Sequence, residues 1–272
     1  MDPAPLILAV APNGAYKTKS DHPALPQTPA ELAATATSCL DAGAAMIHLH
    51  VRDGEGKHTL DPAAYRKAID AIHRAVGDEL VVQVTSESGR IYRPEEQMRA
   101  IREVRPEAVS LALRELIPDE GYEQVACEFF GWLGDSGCVP QYILYTDAEV
   151  EWYRALLDRG VIPDMPHWLL FVLGRYTDNQ QSRSTDLLPF LTRLPDRPWS
   201  MCAFGRTEHT CAVAAAALGG HVRVGFENNL YLKGGAKASQ NSDLVTQVSE
   251  AAAVLNRPLM DAAGLRGLFA AA

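Results

Sequence analysis

Cysteine is scarce in this 272-residue chain: five residues, Cys39, Cys127, Cys138, Cys202 and Cys211, an odd number with no C-x-x-C pair among them. Neither a disulfide framework nor a cysteine-built zinc module fits, and the thiols read as reduced core residues of a cytoplasmic protein. No block of five or six like charges occurs either, and 25 Lys and Arg against 34 Asp and Glu leave a net charge of −9. That balance argues against a nucleic-acid partner and requires a local basic pocket for any anionic ligand. Long apolar runs are also missing. The stretch from Met1 to Val10 has no basic residue ahead of its short apolar run and is interrupted by Pro3 and Pro5, so no signal peptide, membrane span or membrane partner is expected. Twenty glycines and 17 prolines are too few for a low-complexity chain, and 47% hydrophobic residues supply an ordinary core.

What is present is alternation. Eight near-continuous apolar runs read as buried parallel strands: Leu6 to Val10, Ala45 to Val51, Leu80 to Thr85, Ala108 to Leu113, Gln141 to Thr146, Trp168 to Leu173, Trp199 to Phe204 and Val222 to Phe226. Helix chemistry lies between them. Thr28-Pro29-Ala30-Glu31 reads as a capping box with proline in the first turn, opening a helix that closes at Gly43. Asp61-Pro62 opens another that ends near Gly77, Arg93-Pro94 a third, and Asp147 caps a fourth that stops at Gly160. A helical pattern over Tyr122 to Leu133 fills the widest gap, and Ser239 to Leu255 reads as the last helix. Strand and helix alternating at about thirty residues imply right-handed βαβ units, and eight of them favour a (β/α)8 TIM barrel over residues 1–272 as one domain. An open doubly wound sheet would carry G-x-G-x-x-G in its first turn, where this chain has Ala11-Pro12-Asn13-Gly14.

Two segments carry chemistry. In Ile47-His48-Leu49-His50-Val51-Arg52-Asp53, strand parity turns His48 and His50 to one face and Ile47, Leu49 and Val51 to the other. Two imidazoles one pleat apart at the C-terminal end of a barrel strand suit chelation of Zn2+ or a similar divalent ion, although a hydrogen-bonded core pair has the same pattern. The remaining histidines His22, His58, His73, His167 and His209 read as solvent or loop residues. In Gly219-Gly220-His221-Val222-Arg223-Val224-Gly225-Phe226-Glu227-Asn228-Asn229, the same parity puts Arg223, Gly225 and Glu227 on one face, with Glu227 at the rim of the eighth strand. Glu227 can complete a His2Glu site with an open position, and Arg223 either serves that site or pairs with Glu227. Val84-Thr85-Ser86-Glu87-Ser88-Gly89 and Phe204-Gly205-Arg206 fall at strand ends, where hydroxyls, amides and Arg206 can meet a carboxylate.

Together, I-H-L-H-V-R-D and G-G-H-V-R-V-G-F-E-N-N resemble the β-keto acid cleavage enzymes, the 3-keto-5-aminohexanoate cleavage enzyme-like family. L-P-Q-T-P-A-E-L, Q-V-T-S and W-S-M-C-A-F-G-R extend the resemblance over nearly the whole chain. It implies a TIM barrel with one zinc on His48, His50 and Glu227. It also implies an acyltransferase that takes a β-keto acid and acetyl-CoA to acetoacetate and a new acyl-CoA, and a homotetramer. Arg223 matches the family's functional arginine, and Thr85 and Ser110 match positions that hydrogen-bond the keto acid. The chain departs where the family's base, an Asp, is replaced by Asn228, which cannot accept a proton as a base does; Glu87 is a candidate substitute. Ile143 stands in place of the Glu that holds the substrate ammonium in the aminohexanoate type, Ala112 in place of an Asn, and Tyr16 where some relatives carry Glu. A substrate without a 5-amino group is expected.

Two other readings compete. An amidohydrolase-like metal hydrolase would have H-x-H on its first strand and a bridging Lys, whereas here a full strand and helix precede the pair and no predicted middle strand holds a Lys. A non-catalytic, metal-bound barrel binding a carboxylate or acyl-CoA is kept open by Asn228.

Overall fold

The computed structural model describes residues 4–194 and 196–270. Its centre is a closed parallel barrel of eight strands: β1 (Leu8–Val10), β2 (Met46–Leu49), β3 (Val81–Thr85), β4 (Ala108–Ala112), β5 (Val139–Leu144), β6 (Trp168–Leu173), β7 (Trp199–Ala203) and β8 (His221–Val224). Neighbours in sequence are neighbours in space, and the ring closes where β1 pairs with β8, Leu8 opposite Val222 and Val10 opposite Val224. All eight expected strands are present. β2 is shorter than the apolar run because Asn13 replaces a neighbouring strand beyond Leu49: its Oδ1 accepts from His50 N at 3.2 Å and its Nδ2 donates to His50 O at 2.8 Å. Val51–Arg52 then turns into a small antiparallel hairpin with His58–Thr59.

The helices are α1 (Pro29–Asp41), α2 (Pro62–Val76), α3 (Pro94–Val104), α4 (Glu123–Ser136), α5 (Asp147–Asp158), α6 (Glu208–Ala217), α7 (Asn241–Val254) and α8 (Ala262–Ala270). Their starts follow the cap chemistry. Thr28 Oγ1 accepts from Glu31 N while Glu31 Oε2 accepts from Thr28 N, and Asp61 accepts from the amides of Ala63 and Ala64. For α5 the cap is Thr146, one residue before the expected Asp147, because its Oγ1 accepts from Glu149 N. Between β6 and β7 two 3-10 turns and the single turn Leu188–Leu191 replace a full helix. The unexpected α8 closes the N-terminal end of the barrel: Phe269 packs on Trp168, and Leu265 joins Ile7, Met46, Val81 and Ala108 in the lowest interior layer. Above that apolar plug the interior is polar, with Gln83, Gln141 and Ser200 buried. This layering leaves the C-terminal end as the open one.

No helix among the described residues is long and apolar enough to cross a membrane. The cysteines are all free, four of them buried and Cys127 half-buried. Three histidines expected in solvent are instead buried: His22, His58 and His167. Each finds a hydrogen-bond partner, His22 with Ala238 O, His58 with Glu87 O and His167 with Met165 O, and that is what pays for desolvating their rings.

Candidate metal and substrate site

β2 delivers His48, and the Asn13 clamp just beyond it fixes His50 in the same direction. β8 delivers Arg223 and then ends; Gly225 takes φ 141°, where an added Cβ would lie 2.3 Å from Ala11 O, and this bend interrupts the strand parity expected through Glu227. Glu227 therefore arrives from the turn after β8. That turn is held by buried Glu208 at the start of α6, which accepts from Gly225 N, Asn228 Nδ2 and Asn229 Nδ2.

Three donor atoms converge. His48 Nε2 and His50 Nε2 are 3.3 Å apart, and Glu227 Oε2 lies 3.6 and 3.5 Å from them. Ligands at about 2.1 Å from a tetrahedral metal stand roughly 3.4 Å from each other, so the triangle has the right edge lengths for one ion. Glu227 Oε2 has no hydrogen-bond donor. His48 Nδ1 lies 2.9 Å from Gln83 Oε1, which fixes that ring with Nδ1 as donor and Nε2 as the free lone pair.

Electrostatics prepares the same state. Burial pushes His48 down to about 4, with Arg223 adding to it, and holds His50 well below its ordinary value, so both rings are neutral. Burial alone would raise the Glu227 carboxyl, but Arg223 and then His48, Arg175 and Lys17 hold it below the usual range. Arg223 Nη2 donates to Glu227 Oε1 at 3.0 Å, leaving Oε2 unpaired. The pairing alternative for Arg223 is the contact the structure shows. Its Nε and Nη1 have no partner, nor does the buried Ser110 Oγ.

Beside the triangle lies an inner cavity of about 20 Å3, walled by Thr85, Ser110, Ala112, Ile143, Tyr145 and Val172 and by Arg223 and Glu227. Thr85, Ser110 and Ile143 are therefore brought together with His48 and Glu227 around one cavity. Asn228 is not: its buried side chain points behind the turn, donating to Glu208 Oε1 and Arg223 O, where it shapes the loop that carries Glu227. Glu87 faces the site from the loop after β3. Its Oε2 is 3.7 Å from His50 Nε2 and its Oε1 3.5 Å from Arg175 Nη2. Burial, then Glu227, pushes its carboxyl up to about 7 against the pull of Arg175.

Sequence reasoning missed Gln83, Arg175 and Lys17. Gln83 shares strand parity with Thr85 in Q-V-T and could have been found that way; the other two sit on loops whose direction no periodicity encodes. Lys17 Nζ donates to Glu227 O at 2.6 Å, and Arg175 lies over the Phe204 and Tyr16 rings at 5.0 and 5.1 Å.

A 3-keto-5-aminohexanoate cleavage enzyme of Fusobacterium nucleatum is 33% identical over 261 residues, covering 93% of both chains. A 3-oxoadipate:acetyl-CoA acetyltransferase of Cupriavidus necator is 29% identical over 97% of this chain and 94% of its own. Among solved structures, ObcA with oxaloacetate superposes at a TM-score of 0.72 with 19% identity, over 91% of this chain and 67% of that one, and a type I 3-dehydroquinate dehydratase of Clostridium difficile at 0.61 with 9% identity over 94% of each. These two speak for the barrel alone. The family profile of the beta-keto acid cleavage enzymes matches residues 5–270, which sets the amidohydrolase reading aside: the chain belongs to the beta-keto acid cleavage enzyme family.

Proposed function

We propose that the protein is a zinc-dependent acyltransferase that converts a β-keto acid and acetyl-CoA into acetoacetate and a new acyl-CoA. The observation that carries this is the triangle of His48 Nε2, His50 Nε2 and Glu227 Oε2, with edges of 3.3 to 3.6 Å, opening onto a cavity with unpaired donors. When bound there, zinc supplies Lewis acidity to the keto acid's carbonyl. The chain's own residues supply the rest. Ser110 Oγ and Thr85 Oγ1 face the keto acid and offer hydroxyl donors to its carboxylate. Arg223 turns its unpartnered Nε and Nη1 to the negative charge that develops on the substrate. Among the described residues, Glu87 is the one other carboxylate within 4 Å of either imidazole, so it takes the C2 proton that Asn228 cannot.

The acyl tail meets Ala112, Ile143 and Val172 in a cavity of about 20 Å3. None of these three side chains can pair an ammonium, so the tail is uncharged. The test is to incubate the zinc-loaded protein with a panel of short-chain β-keto acids, with and without acetyl-CoA, and to assay acetoacetate. Release that requires acetyl-CoA is expected; silence across the panel with metal bound would overturn the reading.

A further inference from the structure

The inner cavity has an outer neighbour. A cleft of about 300 Å3 lies between the loop after β1 and the loop after β6, and it meets the inner cavity at four shared residues, Glu87, Arg175, Phe204 and Glu227. The inner cavity is much the smaller of the two, so a second reactant reaches the same centre through the outer cleft. Its wall next to Glu227 is Lys17.

Lys17 is placed as a donor with capacity to spare. Its ammonium makes one hydrogen bond, to Glu227 O at 2.6 Å, and among the described residues no carboxylate lies within 4 Å of it. An ammonium has three N–H groups, so two remain for the cleft. The nitrogen also stands 5.9 Å from the Phe204 ring, on the side the two cavities share. Buried Arg52 braces the loop from below by donating to the carbonyls of Gly14 and Lys17, so the lysine's backbone is set before any ligand arrives.

Resting on the acyltransferase reading, we infer that Lys17 is a further catalytic residue, donating to the thioester carbonyl oxygen of acetyl-CoA held in the outer cleft. The step it serves is the second one. After the C2 proton has left, the C2 electron pair forms a bond to the thioester carbonyl carbon, and the carbonyl π pair moves to oxygen. The resulting alkoxide sits on the Lys17 ammonium. The pair then returns to re-form the carbonyl and the C–S bond breaks, releasing CoA thiolate; the thiolate later adds to the original keto carbon, and as that carbonyl re-forms the C2–C3 bond breaks, leaving the new acyl-CoA and an acetoacetate carbanion whose C2 takes back the proton held by Glu87. A fixed cation at the oxygen that gains charge, in a site shielded from water, lowers this barrier without reorganising.

Two steps that use different residues can be separated. Exchange of the C2 hydrogens of a β-keto acid with D2O, followed by NMR above the background rate, needs no acetyl-CoA; acetoacetate formation needs it. In Lys17→Met, exchange within about threefold of wild type, full metal content and transfer reduced roughly 100- to 1,000-fold are expected, the range for losing one such donor. Lys17→Arg, which keeps a cation, is expected to recover at least about tenfold of the transfer lost. The inference is overturned if exchange and transfer fall together, if Lys17→Met loses its metal, which would make the lysine a brace for Glu227, or if transfer survives. Wild-type protein with neither exchange nor transfer would instead remove the acyltransferase reading itself.

Discussion

Gln83 Oε1 accepts a hydrogen bond from Nδ1 of His48 at 2.9 Å, and behind it the barrel interior is wired across four strands. Gln83 Nε2 donates to Gln141 Oε1 at 3.3 Å, Gln141 Nε2 to Ser200 Oγ at 2.9 Å, and Ser200 Oγ to Leu169 O at 3.2 Å. Each amide is oriented by the next, so the tautomer of His48 is set from the far side of the barrel.

Gln83→Met should therefore weaken metal binding without touching a ligand. A loss of roughly 10- to 100-fold in affinity is expected, the usual cost of removing such a partner. Competition against a chromophoric chelator measures it, and an unchanged affinity would mean that Gln83 is only filling space.

Removing the metal should leave the barrel folded. Arg223 pairs with Glu227 through Oε1, so the carboxylate would not be left as an unpaired buried charge. Dialysis against a strong chelator is expected to preserve far-ultraviolet circular dichroism and to lower Tm by several degrees, in line with about 4 kcal/mol of binding linkage at a thousandfold excess over Kd. Global unfolding on chelation would contradict this.

Glu87→Gln keeps the shape of the side chain and removes its capacity to take a proton. C2 exchange and acetoacetate formation should both drop by about 100-fold or more, at undiminished metal content. Normal exchange in this variant would move the base elsewhere.

Specificity is expected to follow Ile143. With Ile143→Glu, a carboxylate enters the wall of the inner cavity and should shift the preference toward β-keto acids bearing an amino group on the tail. A competition assay between amino and plain substrates reads this directly; an unaltered preference would place the tail somewhere else.

Acid stability carries a signature of the buried imidazoles. Burial pushes His221 down to about 3 and His167 to about 4, both far from the candidate metal ligands in role. Because these folded values lie below the unfolded value of about 6.5, the stabilisation is complete above about pH 6.5 and is lost as pH falls, while the unfolded chain takes up protons that the folded one refuses. Each ring contributes a slope of about 1.4 kcal/mol per pH unit in that window. His221→Asn keeps an acceptor for Ile7 N, which now bonds His221 Nδ1 at 3.0 Å. Urea unfolding of the metal-free protein between about pH 6 and about pH 4 should show the variant shallower by one such slope. Equal slopes would count against a neutral buried His221.

The barrel was legible because eight buried strands leave eight apolar runs, and because proline, threonine and aspartate mark helix starts through bonds that span only three residues. His48 and Arg223 were legible for a similar reason: parity holds inside a strand, and for His50, one residue past the end of β2, the Asn13 clamp carries it on. Elsewhere it fails once the strand stops. Glu227 was placed near its partners by extending parity across Gly225, yet it arrives there by a bend that only glycine adopts. Asn228 looked like a member of the site from its position next to Glu227, and its amide turns out to serve Glu208 instead. Lys17 and Arg175 lie on loops aimed by tertiary contacts, Arg52 beneath one and two aromatic rings around the other, and no local pattern announces such contacts. α8 escaped notice because Ala262–Ala270 is apolar almost all round, which suits a plug between a barrel floor and the surface but resembles no amphipathic stripe.

Ring closure between β1 and β8 has a consequence in time as well as space. The imidazoles of His48 and His50 leave the ribosome long before Glu227, and the turn bearing Glu227 reaches them only after the last strand docks beside the first. Until then a nascent chain offers only the two imidazoles of the proposed three-donor set. Under the proposed metal reading, capture of the ion is a late event that reports a finished chain.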